Sequence, residues 1–228
     1  MAARYDRAVD AVRALYDRRI SGPPVLDLAS DFAGGAAFVD NWRAIREEAL
    51  NIARNVQAVP RFHEIMPEQA DISANDGRDW RMYIMKAYGV EKAERMAACP
   101  RLAALVRQRP EVLSCSFSFL GPGKHIPAHR GPIRGIIRFY MVLSMPRAAD
   151  GRPAAVLRVA DTEHRLEEGE YLLWDDTFEH EAWNGSDEVR IVLSLDVWRP
   201  RMPLDMKILS AAVVMLVWAG VKIRGLKG

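Results

Sequence analysis

The sequence predicts an α+β fold: helices first, then a β-core, then an apolar closing helix. Three observations carry this. Before residue 80, apolar residues recur at three- and four-residue steps. From Glu111 the chain breaks into short β-branched and aromatic runs punctuated by turn sequences. From Ile208 to Val221 it carries no charge. Several short strands with regular turns indicate a barrel or a double-sheet jelly roll.

Taken in order, Tyr5, Val9, Val12, Tyr16 and Ile20 make one apolar face of an N-terminal helix flanked by arginines, and SGPP at 21–24 ends it. Such a face suits an ordinary surface helix or a membrane-surface helix. Trp42, Ile45, Ala49, Ile52 and Val56 predict an amphipathic helix over 40–57. Sequence rich in Pro, Asn and Asp from Pro60 to Asp79 reads as loop. WRMYIMKAYG at 80–89 is strand-like, and Glu91 to Gln108 is helical, interrupted by Pro100. The core strands are VLSCSFSFL, IIRFYMVLSM, AAVLRVA, EYLLWDD and VRIVLSLDVW, separated by GPG, ADG, EEG and NGSD. The chain thus divides into an N-terminal helical region at 1–79, a β-core at 80–203 and an apolar helix at 204–228.

The tail, ILSAAVVMLVWAGV at 208–221, lies between Lys207 and the cations Lys222, Arg224 and Lys227. As a helix it spans about 21 Å, against roughly 30 Å of bilayer hydrocarbon, and snorkelling lysines extend its reach. A buried core helix and a membrane-seated anchor both fit.

The 228 residues suit one large domain with helical additions. The formal net charge of +2 is small and the arginines are dispersed, so nothing points to nucleic acid. Cys99 and Cys115 form no metal-binding spacing and read as reduced thiols in a reducing compartment. The N-terminus lacks the apolar run of a secretory signal.

Chemistry concentrates in two stretches. GKHIPAHRGP at 123–132 carries His125 and His129, and WDDTFEHEAWN at 174–184 carries His180. Two histidines suggest a non-haem iron site, in which a carboxylate commonly completes the ligand set two residues after the first His. After His129 that position is Gly131. His129 is expected in a loop before the strand at 134–144, and His180 after the strand at 170–175. Histidines at the ends of different jelly-roll strands can converge on one metal. Arg190 opens the strand VRIVLSLDVW, which is expected to run back beside the strand of His180 and place Arg190 near the metal. A buried Arg there can bind a carboxylate through its fork. A cosubstrate that chelates metal and ends in a second carboxylate, such as 2-oxoglutarate, has the matching shape.

Three ordered segments make this specific: PGKHIPAHRGP at 122–132, EEGEYLLWDDTFEHEAWN at 167–184 and VRIVLSLDVWRP at 189–200. With them the stretch from Ser116 to Pro200 resembles the aspartyl/asparaginyl β-hydroxylase family, Fe(II)- and 2-oxoglutarate-dependent oxygenases with a double-stranded β-helix core. Members of that family lack the carboxylate ligand and have Gly at the position of Gly131. The resemblance implies His129 and His180 as iron ligands, with O2 as oxidant. It implies Arg190 on the distal carboxylate of 2-oxoglutarate, with Arg138 and Ser118 as further cosubstrate contacts. Asp176 would hold metal-bound water or orient His180. Tyr140 departs from the pattern, where His is frequent, but can still donate a hydrogen bond.

Simpler readings stand beside these. His125 is a rim or loop residue, since Pro127 and the GPG turn forbid a helix linking it to His129. His63 and His164 are isolated surface residues. Asp175 and Asp176 could merely cap a loop, and Arg190 could be a structural ion pair.

The resemblance implies hydroxylation of an unactivated C–H. FVDNWRAIREEA at 38–49, DWRMYIMKAYG at 79–89 and ACPRLAALVRQRPEV at 98–112 resemble the lipid A and ornithine-lipid hydroxylase branch. That branch implies an acyl chain as substrate, at the cytoplasmic face of a bacterial inner membrane or in the cytoplasm. WDDTFEHEAWN and DVWRP also resemble the branch acting on Asp or Asn of proteins. A non-catalytic metal-binding barrel is a third possibility, and the joint presence of both histidines, Arg138 and Arg190 argues against it.

Overall fold

The computed structural model describes residues 2–224. Eleven strands run through it: β1 (Val25–Leu26), β2 (Trp80–Ala87), β3 (Val90–Glu91), β4 (Val112–Leu120), β5 (His125–His129), β6 (Ile136–Ser144), β7 (Ala155–Val159), β8 (Thr162–His164), β9 (Tyr171–Trp174), β10 (His180–Asn184) and β11 (Arg190–Trp198). They form a seven-stranded sheet ordered β1-β9-β6-β11-β4-β2-β3 and a four-stranded sheet ordered β5-β10-β7-β8, with every named pair antiparallel. This is the expected double-stranded β-helix with helices before and after it.

Strand alternation sorts the large sheet into two faces. Phe117 and Phe119 of β4, Ile137, Phe139 and Met141 of β6, and Ile191, Leu193, Leu195 and Val197 of β11 pack outward on helices. Phe38, Ile45 and Ala49 come to them from the helices Ala36–Asp40 and Trp42–Ala53, and Leu102, Leu105 and Val106 from Pro100–Arg107. The intervening positions face the second sheet: Leu120, Leu172 and Trp174 pack there against Ile126, Leu157, Val159 and Ala182.

Three local expectations need correction. GKHIPAHRGP is not all loop: His125–His129 is a strand at the edge of the small sheet. An edge strand tolerates Pro127, whose missing N–H costs no ladder bond there. The stretch 60–79 contains three short helical turns, Phe62–Ile65, Pro67–Gln69 and Ala70–Ser73. Tertiary contacts order it: Phe62 stacks on Trp80 with ring centroids 4.0 Å apart. The fully buried Lys124 ammonium donates to Ser73 O (2.8 Å), Asn75 Oδ1 (2.6 Å) and Asp76 Oδ1 (2.7 Å), which satisfies a cation that would otherwise be costly to bury. Third, β11 does not run beside the His180 strand. It pairs with β4 and β6, in the opposite sheet from β10.

The N-terminal helix packs Tyr16 and Ile20 on the C-terminal helix Leu204–Arg224 and on the strand ends Leu113 and Ile136. Tyr5 and Val9, part of the expected apolar face, lie outside the described side chains. The C-terminal helix is no core helix. Among its described side chains only Met206, Ser210 and Val214 are buried, while Leu216 is 75% and Ile223 86% exposed.

Candidate active site

The two sheets bring the histidines together. His129 ends β5, His180 begins β10, and the two residues are paired partners across the ladder. Their rings lie 4.1 Å apart between centroids. His129 Nδ1 is 2.8 Å from Pro127 O, and His180 Nδ1 is 2.9 Å from Phe178 O. A carbonyl only accepts, so each Nδ1 carries its proton and each Nε2 keeps a free lone pair. Burial lowers the pKa of His129, and burial together with His129 lowers that of His180 well below the ordinary value. Both imidazoles are therefore neutral at pH 7, the form that ligates metal.

Gly131 follows two residues after His129 and donates its N–H to Asp176 O at 2.7 Å. A Cβ at Gly131 would run into the Asp176 carboxyl group. The space that a side chain at 131 would fill is thus taken by a carboxyl group from the other cluster. Among the described residues, no group of three or more His, Cys, Asp or Glu is placed to hold a metal. The donor set fits a two-histidine centre with Asp176 behind it, and not a closed three-residue site.

Asp175 and Asp176 differ sharply. Asp175 is 1% exposed and accepts from Thr177 N and Oγ1, from Arg134 Nε at 3.0 Å and from Arg199. It is a structural anchor. Asp176 pairs with Arg138, 3.2 Å away, and burial pushes its pKa up to about 6 against that cation's pull. Arg138 spends its Nε on Asp196 Oδ1 at 2.9 Å. It therefore stands between two carboxylates, beside the two histidines.

Arg190 lies at the other end of β11, opposite Leu120, whereas Asp196 lies opposite Arg138. The expected closeness of Arg190 to the histidines through a shared sheet does not hold, because jelly-roll crossovers put β10 and β11 in different sheets. Arg190 faces the interior instead. It is 2% exposed, donates through one Nη to Tyr140 Oη at 2.7 Å, and its Nε has no partner. Among the described residues no carboxylate forms an ion pair with it, so the structural ion-pair reading fails. Ser118 is buried on the same face and its Oγ accepts from Trp80 Nε1 at 3.0 Å.

Of the other histidines, His125 points outward and lies 3.0 Å from Glu181 Oε2. His63 lies 3.1 Å from Ser73 Oγ, and His164 is half-buried rather than on the surface. Sequence reasoning missed Asp196, Trp174 and Arg13. Asp196 was detectable, as it shares strand parity with Arg190. Trp174 packs edge-on against His180 with centroids 4.6 Å apart. Arg13, on the N-terminal helix, donates to Gly131 O and Arg130 O, both at 3.2 Å, and so clamps the loop after His129. Nothing local in the sequence signals a contact between residues so far apart.

Fold and site together define a jelly-roll barrel with a paired-imidazole centre and an unpaired buried guanidinium. The chain belongs to the aspartyl/asparaginyl β-hydroxylase family, whose sequence model matches residues 39–200. It is 35% identical to an ornithine lipid ester-linked acyl 2-hydroxylase of Rhizobium tropici over 80% of this chain and 63% of that protein. It is 27% identical to an aspartyl/asparaginyl β-hydroxylase of Homo sapiens over 71% of this chain and 20% of that one. The chain thus spans less than two thirds of these relatives. Among solved structures, it resembles a prolyl-4-hydroxylase of Pseudomonas putida at TM-score 0.43 and 17% identity, covering 73% of this chain and 98% of that one.

Proposed function

We propose that the chain is an Fe(II)- and 2-oxoglutarate-dependent dioxygenase that hydroxylates an acyl chain of a membrane lipid. One observation carries the cosubstrate: a fully buried Arg190 with an unpartnered Nε, in the barrel whose other end holds two neutral imidazoles. An unpaired buried cation is costly, and a bidentate carboxylate removes the cost. His129 and His180 would hold the metal through Nε2. Arg190 and Tyr140 would bind the distal carboxylate, and Ser118 lies on the same wall. Asp176 would hold a proton-bearing group beside the metal, and Arg138 keeps Asp176 in place. The bound metal and cosubstrate would supply oxygen activation with loss of CO2. The interior lined by Leu120, Ile126, Leu157 and Trp174 keeps bulk water away.

The lipid reading rests on two supports. The ornithine lipid relative matches over more of both chains, and at higher identity, than the Asp/Asn relative. The helix Leu204–Ile223 is long and apolar enough to cross a membrane, with 17% of its length buried. Its Ser210 face is packed: Tyr16 Oη donates to Ser210 Oγ at 2.7 Å, and Gly135 leaves no room for a Cβ there. A helix held along one side lies in the membrane plane rather than crossing it, with Ile208, Met215 and Leu216 toward acyl chains. This would seat the chain at the cytoplasmic face of the inner membrane.

Succinate release tests the activity. Protein with Fe(II), ascorbate, 2-oxoglutarate and O2 should respond to a bacterial lipid extract, and His180→Ala should abolish the response. Stimulation by an Asp/Asn-rich peptide mixture alone would instead make it a protein hydroxylase. No binding of Fe(II) or 2-oxoglutarate would leave a non-catalytic barrel. For the helix, full-length chain should pellet with membranes and a chain ending at Pro203 should not; equal partitioning would sink the seating.

A further inference from the structure

Among the described residues, two buried N–H donors on the large sheet lack acceptors. One is Arg190 Nε. The other is Trp174 Nε1. Trp174 is the largest fully enclosed side chain among the described residues, 2% exposed. An indole N–H has one use in a protein, which is to donate, and leaving it unmet in an apolar interior costs stability that simple packing by Phe would avoid. Such an orphan therefore calls for an acceptor brought from outside.

Position says which acceptor. Trp174 ends β9 and faces Arg138 of β6 across the ladder. Its ring stands edge-on to His180, and the Arg138 guanidinium lies 5.9 Å from the ring centroid. Trp174 is thus at the metal end. Arg190 belongs to the far end, since it precedes Asp196, the partner of Arg138, by six positions on β11. Orphan donors toward both ends of one apolar barrel interior match a ligand with an acceptor group at each end. A dicarboxylate bound by one end at the metal has that form.

We propose that Trp174 Nε1 is a cosubstrate-binding donor: it hydrogen-bonds the carboxylate of the 2-oxo acid that sits at the metal, while Arg190 holds the distal one. This rests on the cosubstrate reading above and adds a residue to it. The indole also fixes the His180 ring by its edge contact, so one side chain would orient both a metal ligand and the molecule bound beside it. Phe at this position would keep the ring contact and lose the donor.

The test measures binding rather than turnover. Anaerobic protein loaded with Zn(II) is titrated with 2-oxoglutarate by calorimetry, for the wild type and Trp174→Phe, with Zn(II) affinity and melting temperature measured alongside. Trp174→Phe should bind 2-oxoglutarate at least tenfold more weakly, with Zn(II) affinity unchanged and a melting temperature no lower than wild type. In wild-type protein labelled with 15N-tryptophan, the Trp174 indole N–H signal should move downfield on adding 2-oxoglutarate. That second readout decides the matter even where the variant folds poorly. Equal affinity in the two proteins, or an unmoved indole signal in a wild type that binds, overturns the role of Trp174 and leaves the cosubstrate reading standing. A wild type that binds no 2-oxoglutarate overturns both.

Discussion

The two faces of the large sheet share every strand and differ in everything else. Along β11, Ile191, Leu193, Leu195 and Val197 face the helices, while Arg190, Ser194 and Asp196 alternate with them toward the barrel. Along β6, Ile137, Phe139 and Met141 alternate with Arg138 and Tyr140. The outer face is closed and largely apolar, and its buried cation, Arg81 of β2, is fully bonded to Val59 O, Gln57 and Asp79. The inner face carries a guanidinium without an ion-pair partner, an indole without an acceptor and a carboxyl group pushed up to about 6. One face stores stability, and the other spends some of it to keep groups ready for ligands. A one-residue register slip would exchange the two, which makes β6 and β11 unusually intolerant of insertions.

The comparison predicts that substitutions separate by face. The largest effect belongs to the outer one. Phe139 is fully buried and meets Phe32 at 5.8 Å, Phe38 at 6.1 Å and Tyr171 at 5.7 Å between ring centroids. Phe139→Ala should cost about 3–5 kcal/mol through lost transfer energy and a cavity. For a chain of this size that lowers the melting temperature by roughly 10 °C. Below the melting point, 2-oxoglutarate affinity should be unchanged. A melting temperature within a degree of wild type, or a parallel loss of binding, would break the division of labour between the faces.

Arg190→Met is the mirror experiment, with a smaller effect and the opposite sign on stability. Methionine fills much of the same volume and removes an uncompensated buried charge. The melting temperature should hold or rise, while 2-oxoglutarate binds at least thirtyfold more weakly, about 2 kcal/mol. Should stability fall along with binding, Arg190 would be a structural residue and the inner face would not be paying for function at that position.

The inner face was partly legible before any coordinates. Long strands are visible through alternation, and Arg190 through its place at the start of one; Ser118, Arg138 and Tyr140 are picked out only by the family resemblance. The small sheet was harder. HIPAH and HEAWN are five-residue strands in which histidines and a proline dilute the β-signal, so β5 read as loop and β10 was not seen. β1 and β3, two residues each, have no periodicity to detect. The sheet to which each strand belongs is a matter of long-range pairing, which is why β11 was expected beside the His180 strand and is found opposite it. An aromatic within YLLW reads as core, and core Trp174 is; only its unmet N–H separates it from its neighbours. Arg13 reaches the loop of His129 across more than a hundred residues, and no local pattern encodes that.

The smallest of the three effects concerns Asp176, and it is visible only as a change with pH. Its neighbour Asp175 is held by two arginines and a threonine, whereas Asp176 pairs with Arg138, feels Arg13 more weakly, and is pushed up to about 6 from an ordinary 3.8, chiefly by burial. In the metal-free protein, between about pH 4 and 6, the folded chain keeps a proton that the unfolded chain has released. Stability therefore falls as pH rises through that window and does not recover above it. Asn cannot ionise. Asp176→Asn should then be more stable than wild type at pH 8 by about 2 kcal/mol, with the advantage shrinking to nothing near pH 4. Urea midpoints at the two pH values, in the presence of a chelator, measure the difference directly. Parallel pH profiles for the two proteins would mean that Arg138 already neutralises Asp176 in full, and that the inner face keeps one costly group fewer than proposed.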